Sequence, residues 1–209
     1  MSSSLTIHHE REPNPDISSP DPHQDVFSKT VMGFWTYLMT DCLLFATLFV
    51  TYVVLRDNTF GGPSGKELFD LPYAFGETMA LLFSSVTCGL AVLSAVQNKT
   101  RHIIPWLSVT LLLGLTFLVM ELNEFAGFIE QGYDWTVSAF LSAFFTLVGT
   151  HGTHITFGLI WTSVLIGQFA FQGLNADTFR RLVVYSLFWH FLDLIWIFIF
   201  TIVYLMGVL

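Results

Sequence analysis

The sequence predicts an all-α polytopic membrane protein, a bundle of five transmembrane helices. Three observations predict it. Of 209 residues, 53% are hydrophobic and only 11% are charged, less than half of the roughly 25% typical of soluble domains, and the mean hydropathy is +0.63. Too few polar side chains remain to cover a water-facing surface, which excludes a soluble globule. Second, the apolar residues gather into five runs, each long enough for the roughly 20 helical residues that a hydrocarbon core of about 30 Å requires. Third, these runs are continuous. Barrel strands would alternate over short segments, so helices, which satisfy their own backbone, are the expected elements.

Residues 1–30 are read as a disordered cytoplasmic tail. The stretch 10–24 is rich in Pro, Ser and Asp and nearly free of large apolar residues. It is not a signal peptide, because no apolar stretch follows a basic start within it. His8 and His9 are read there as a solvated pair. The five-helix domain spans residues 31–209. The first span, 31–55, carries one charge, Asp41. The second, 73–96, carries Glu77 near its start, and the third, 103–128, is uncharged until Glu121 and Glu124. The fourth lies within a stretch without Asp, Glu, Lys or Arg and is placed at 139–171; the fifth, 182–209, carries only Asp193. Short loops between the spans argue for one bundle.

Charge sets the orientation. With five spans, Arg11, Lys29, Lys99, Arg101, Arg180 and Arg181 share one side and only Arg56 and Lys66 the other. The positive-inside rule then places the N-terminus in the cytoplasm and the C-terminus outside. Eight Lys and Arg against sixteen Asp and Glu give a net charge of −8, with no basic patch, which argues against a nucleic-acid partner. Cys42 and Cys88 each sit in an apolar run, so neither a disulfide framework nor a Cys-rich metal site is expected.

Ionisable groups within the spans are costly, roughly 2.5–3.5 kcal/mol each at mid-helix. At 1.5 Å rise per residue, Asp41 lies roughly 15 Å into the first span. His151 and His154 fall near the middle of the fourth, and His190 and Asp193 well into the fifth, so these five could meet near the midplane. Glu77, Glu121 and Glu124 sit towards the outer face. One reading is a proton path or ligand site; the plainer and favoured one is a polar network that fixes helix packing. His151 with His154, and His190 with Asp193, are i,i+3 pairs on single helical faces. The second pair resembles a carboxylate orienting an imidazole beside a metal. A metal site would need three or four converging ligands and a bis-imidazole haem needs histidines on two facing helices; with three intramembrane histidines, haem is arithmetically open.

The fourth span also carries Ser138, Ser142, Thr146, Thr150, His154, Gly158 and Thr162, one every four residues. Small and hydroxyl residues permit close helix approach. Each step of four drifts about 40° around the axis, so the row meets different neighbours at its two ends and the helix is expected to be central.

Two strings carry a family resemblance. Gly149-Thr150-His151-Gly152-Thr153-His154 is similar to the histidine motif of subunit III of haem–copper terminal oxidases, and Trp189-His190-Phe191-Leu192-Asp193-Leu194-Ile195-Trp196 to the motif of that family's last helix. The resemblance covers all five spans. Gly33-Phe34-Trp35, Asp41-Cys42 and the run from Gly61 to Lys66 look most like the bo-type ubiquinol oxidases of bacteria. The resemblance implies a supporting subunit of a proton-pumping ubiquinol oxidase of the aerobic respiratory chain, in the bacterial inner membrane. It implies no cofactor on this chain, haem and copper belonging to subunit I and, in cytochrome c oxidases, copper also to subunit II. The implied partners are subunits I and II, a small subunit IV, and phospholipid. Cytochrome c oxidases carry a carbodiimide-reactive carboxylate in this subunit, and Glu77 lies close to that region.

The alternative is a small proton channel or transporter built on the intramembrane carboxylates and histidines. Against it, internal repeats and helices broken by Gly or Pro at corresponding positions do not stand out. A self-sufficient haem protein is the third reading.

Overall fold

Each of the five apolar runs forms a long helix in the computed structural model, which describes residues 22–59, 61–63 and 65–208. The expected tail over residues 1–21, with His8 and His9, lies outside the described residues. Helix α1 (Pro22–Leu55) begins nine residues ahead of the expected start of the first span, inside the segment read as tail. Proline at the first helical position needs no amide partner and has φ already set for a helix. A short turn, α2 (Gly65–Leu68), precedes α3 (Leu71–Val96), and α4 (Thr100–Glu130), α5 (Ala139–Gln172) and α6 (Ala176–Ile199) follow. The last span continues through a π-helical turn, Phe200–Leu205, into α7 (Met206–Val208). All five long helices are long and apolar enough to cross a membrane.

The ends have local causes. Pro72 sits in the first turn of α3, and Ser138 Oγ accepts the Leu141 amide at 3.2 Å to cap α5. Helix α6 starts six residues before the expected 182 because Asn175 and Thr178 form a reciprocal capping box, each side chain bonded to the other's amide at 2.9 Å. The turn before it uses Gly173 at φ 67°, a left-handed backbone that favours glycine. Between α4 and α5, the Thr136 hydroxyl and amide both donate to Asp134, holding its carboxyl below the usual range.

Helices α3 and α4 pair as one hairpin and α5 and α6 as another; α4 against α5 and α6 against α3 close a four-helix ring. Helix α1 stays outside this ring, packed on α5 and α6. Helix α5, expected to be central, touches α1, α4 and α6, but α6 touches as many, α1, α3 and α5.

The ring is filled from α6, which turns Tyr185, Trp189 and Trp196 inward, and from the π-helical turn after it, which adds Tyr204, each at most 1% exposed. Trp189 Nε1 donates to Ser84 of α3 at 3.0 Å, and its six-membered ring lies against Gly114 of α4 and Gly158 of α5. A Cβ on Gly158 would stand 2.7 Å from Trp189 Cζ3, and one on Gly114 2.9 Å from Cη2. Two turns on, Trp196 Nε1 donates to Thr78 of α3 at 3.1 Å, while the ring meets Phe117 edge-on with centroids 4.6 Å apart. Eight residues of α-helix would rotate Tyr204 about 80° away from Trp196. The π-helical turn takes up the extra residue and returns Tyr204 to the inner face.

Candidate functional site

The intramembrane ionisable groups fall into three separate places. At mid-membrane between α1 and α5, His154 Nε2 faces Asp41 Oδ2 at 3.5 Å. Its other nitrogen, Nδ1, lies 2.7 Å from the Thr150 carbonyl, one turn back on α5. That contact fits an Nδ1–H donor, which leaves Nε2 turned towards the carboxylate. The Phe45 ring covers the imidazole, with centroids 5.3 Å apart.

His151, one turn away, is fully buried and does not join this pair. It sits among Trp196 at 5.2 Å, Phe117 at 5.9 Å and Phe45 at 6.3 Å between ring centroids, and neither ring nitrogen has a hydrogen-bond partner. It packs as an aromatic ring between α1, α4 and α6.

The second place holds Glu77 of α3 with Glu121 and Glu124 of α4, within electrostatic reach of one another beneath Tyr204. The Tyr204 hydroxyl donates to Glu124 Oε2 at 2.5 Å. Glu77 is 0% exposed and neither of its oxygens has a hydrogen-bond partner; Glu121 is 2% exposed with Oε2 unpartnered. The Glu121 carboxyl occupies the space that Gly152 leaves free, where a Cβ would come within 2.6 Å of Oε1. A groove of about 380 Å³ lined by Asp70, Tyr73, Asn123 and Glu124 opens beside this cluster. A second, of about 390 Å³, opens between α4 and α5 beside Glu121 and Gly152.

The third place is the outer seam of α3 and α6, where the exposed His190 lies beside the buried Asp193, next to Ser85. The five groups expected to meet near the midplane are therefore divided: Asp41 joins His154, His151 stands alone among aromatics, and His190 and Asp193 lie at the α3–α6 seam, the histidine exposed and the carboxyl buried. Among the described residues, no three His, Cys, Asp or Glu side chains come together as metal ligands would.

Several residues that organise these places were missed by sequence reasoning. Tyr204, Thr78 and Ser84, and the glycines Gly114 and Gly152, had no assigned role, and Trp189 and Trp196 were noted only as motif letters. A partial signal exists: the two tryptophans lie seven residues apart, two helical turns, with small or hydroxyl residues at matching heights on the other helices.

These features define a polytopic helical membrane protein whose ionisable groups are held around a packed aromatic core. The chain belongs to the cytochrome c oxidase subunit III family, whose profile matches residues 21–208. It is 54% identical over 189 residues, 90% of each chain, to a protein of Pseudomonas aeruginosa named cytochrome bo(3) ubiquinol oxidase subunit 3. A protein of the same name from Buchnera aphidicola is 46% identical, covering 88% of this chain and 94% of the relative. The cytochrome c oxidase subunit 3 of Bacillus sp. strain PS3 is 47% identical, covering 84% and 85%. The resemblance read from the histidine and tryptophan motifs is thereby shown at the level of the family.

Proposed function

We propose that this chain is a supporting subunit of a bacterial terminal oxidase that takes electrons from ubiquinol, and that it carries no redox centre of its own. The observation that carries this reading is the 54% identity, over 90% of both chains, to a protein named cytochrome bo(3) ubiquinol oxidase subunit 3. The internal arrangement supports it. Haem held between two imidazoles needs facing histidines, whereas His151 is enclosed by aromatic rings, His154 faces a carboxylate and His190 faces outward. Residues of the two family motifs serve packing: Trp189 and Trp196 join α6 to α3, and Gly152 accommodates Glu121.

In this reading the chain lies beside the haem- and copper-bearing subunit I of the complex, with subunits II and IV as further partners, and helps stabilise it. Phospholipid fills the grooves left on its lipid-facing surface. On this reading the complex lies in the inner membrane, and the distribution of Lys and Arg supports a cytoplasmic N-terminus and a periplasmic C-terminus. The test is purification of the chain from native membranes through a C-terminal tag. Co-purification with a haem-bearing polypeptide and oxygen uptake supported by ubiquinol is expected. Oxygen uptake supported only by reduced cytochrome c would overturn the quinol assignment, and haem bound to the isolated chain would overturn the supporting role.

A further inference from the structure

His190 stands in an unusual position. In the span that runs from Ala176 to Val208 it lies roughly 21 Å from one end and 27 Å from the other at 1.5 Å per residue, close to the middle of the bilayer. Every other Asp, Glu, Lys, Arg or His that is exposed among the described residues lies near a helix end or in a loop. Asp41, Glu77, Glu121, His151 and Asp193 are buried, and His154 and Glu124 are partly so. An exposed imidazole in hydrocarbon has nothing to bond to, which is why intramembrane ionisable groups almost always face protein or a water-filled cavity.

A second observation lies beside it. Asp193, one turn further along α6, is 9% exposed, and its Oδ1 has no hydrogen-bond partner within the chain. Ser85 of α3 stands next to this carboxylate and is small, as is Ser186 on the neighbouring turn of α6 beside Cys88. The seam is therefore polar at mid-membrane and bordered by exposed apolar residues, Leu194 and Ile197 on α6 and Phe83 and Val86 on α3. A row of acyl chains would satisfy the apolar flanks but offer no hydrogen-bond partner to the exposed His190 or to Asp193 Oδ1, which Ser85 and His190 only adjoin. A helix would satisfy both, because its own backbone needs nothing from the seam and its side chains can supply a donor or acceptor.

We propose that the seam of α3 and α6 centred on His190 and Asp193 is the face on which a transmembrane helix of a neighbouring oxidase subunit docks, presenting a hydrogen-bonding side chain at mid-membrane. This rests on the reading of the chain as an oxidase subunit and adds which face meets the partner. Helix α1 exposes Val50 and Val54, and its mid-span carboxyl, Asp41, is turned to His154 of α5 with only 10% of the side chain exposed.

A photo-crosslinking residue placed at Leu194, four positions from His190 and 52% exposed, tests this in intact membranes. The same residue at Val50 of α1 and at Leu122 of α4 serves for comparison. A crosslink from position 194 to a different polypeptide of the co-purifying oxidase is expected. Crosslinks from 194 to lipid alone or to a second copy of this chain, or subunit crosslinks from positions 50 or 122 only, would overturn the proposal. A chain that travels with no oxidase at all would instead overturn the functional reading on which it rests. In parallel, His190→Leu should lower the fraction of chain recovered with the oxidase by roughly two- to tenfold, the equilibrium change of one lost hydrogen bond, and His190→Gln should restore much of it. On a lipid-facing surface the leucine would be the better residue, so unchanged or improved recovery of His190→Leu would also refute the docking face.

Discussion

Trp189 and the glycines around it show how little space the ring interior leaves. With Trp189 Cζ3 already 2.7 Å from where a Cβ on Gly158 would stand, Gly158→Ala forces either the indole or α5 to shift. A loss of about 1–3 kcal/mol is expected, the usual range for overpacking a filled core. Gly89→Ala, on α3 with nothing within 4 Å, should be neutral or gain up to about 1 kcal/mol from better helix propensity. Thermal unfolding of the detergent-solubilised complex, followed by loss of this chain from it, separates the two. Residue-scale burial also sorts the carboxyls. An apolar carbodiimide arrives from the lipid phase, and the Asp41 side chain retains 10% exposure at the edge between α1 and α5, whereas Glu77 is 0% exposed behind Tyr204. Peptide mapping after treatment should find Asp41 modified ahead of Glu77, although sequence resemblance had drawn attention to Glu77. Modification confined to Glu77 would mean that the cluster opens far more than its packing suggests. The sequence marked every one of these carboxyls, because a charge in an apolar run stands out. It gave no such contrast for Trp189, Trp196 or Tyr204, which are apolar or aromatic residues in a chain full of them.

At the scale of elements, five spans were readable because each is an uninterrupted apolar run, and their order and number stand as expected. Their starts were not, since a hydropathy reading ends where charge begins while a helix ends where its caps are. Helix α6 illustrates this: Arg180 and Arg181 suggested a loop, yet the Asn175–Thr178 box carries the helix through them. Asn175→Ala should therefore cost about 1 kcal/mol and fray the first turn, visible as faster amide exchange over residues 176–180 with the remainder of α6 unchanged. The grouping of the ionisable residues was hidden for a related reason. A sequence gives depth along each helix but not the rotation of one helix against the next, and a rotation of half a turn decides whether His190 meets Asp41 or faces outward. The π-helical turn is another case, because no local residue pattern announces the extra residue that brings Tyr204 over Glu124. Tyr204→Phe removes the only hydrogen bond found for that carboxyl and should destabilise by about 1–3 kcal/mol, the cost of leaving a buried polar group unmade.

For the whole molecule, the ring of α3, α4, α5 and α6 is held by its own aromatic interior, while α1 leans on it from outside through Asp41–His154 and the Phe34, Phe45 and Phe49 contacts. An odd number of spans would put the two termini on opposite sides, and by the positive-inside rule the proposed orientation has the N-terminal side in the cytoplasm. A periplasm-active reporter fused after Leu209 should be active, and one fused ahead of Pro22 inactive; activity at both ends would contradict five spans. The same architecture bears on what loss of the chain would do. Its polar groups are divided among three places, and the reading proposed for it puts no electron-carrying group among them. Its influence on the partner then runs through packing and through the surfaces it covers. If the metal ligands lie in other subunits, as proposed, an oxidase stripped of this subunit should keep its haem spectrum and its initial quinol-supported rate and then lose activity progressively during turnover as the uncovered surface relaxes. The measurement is oxygen uptake followed over many turnovers, with haem spectra recorded before and after. An immediate and complete loss of rate with unaltered haems would instead assign this chain a direct part in the reaction, with Asp41 and His154, the one acid–base pair facing each other across two helices at mid-membrane, as the groups to replace first.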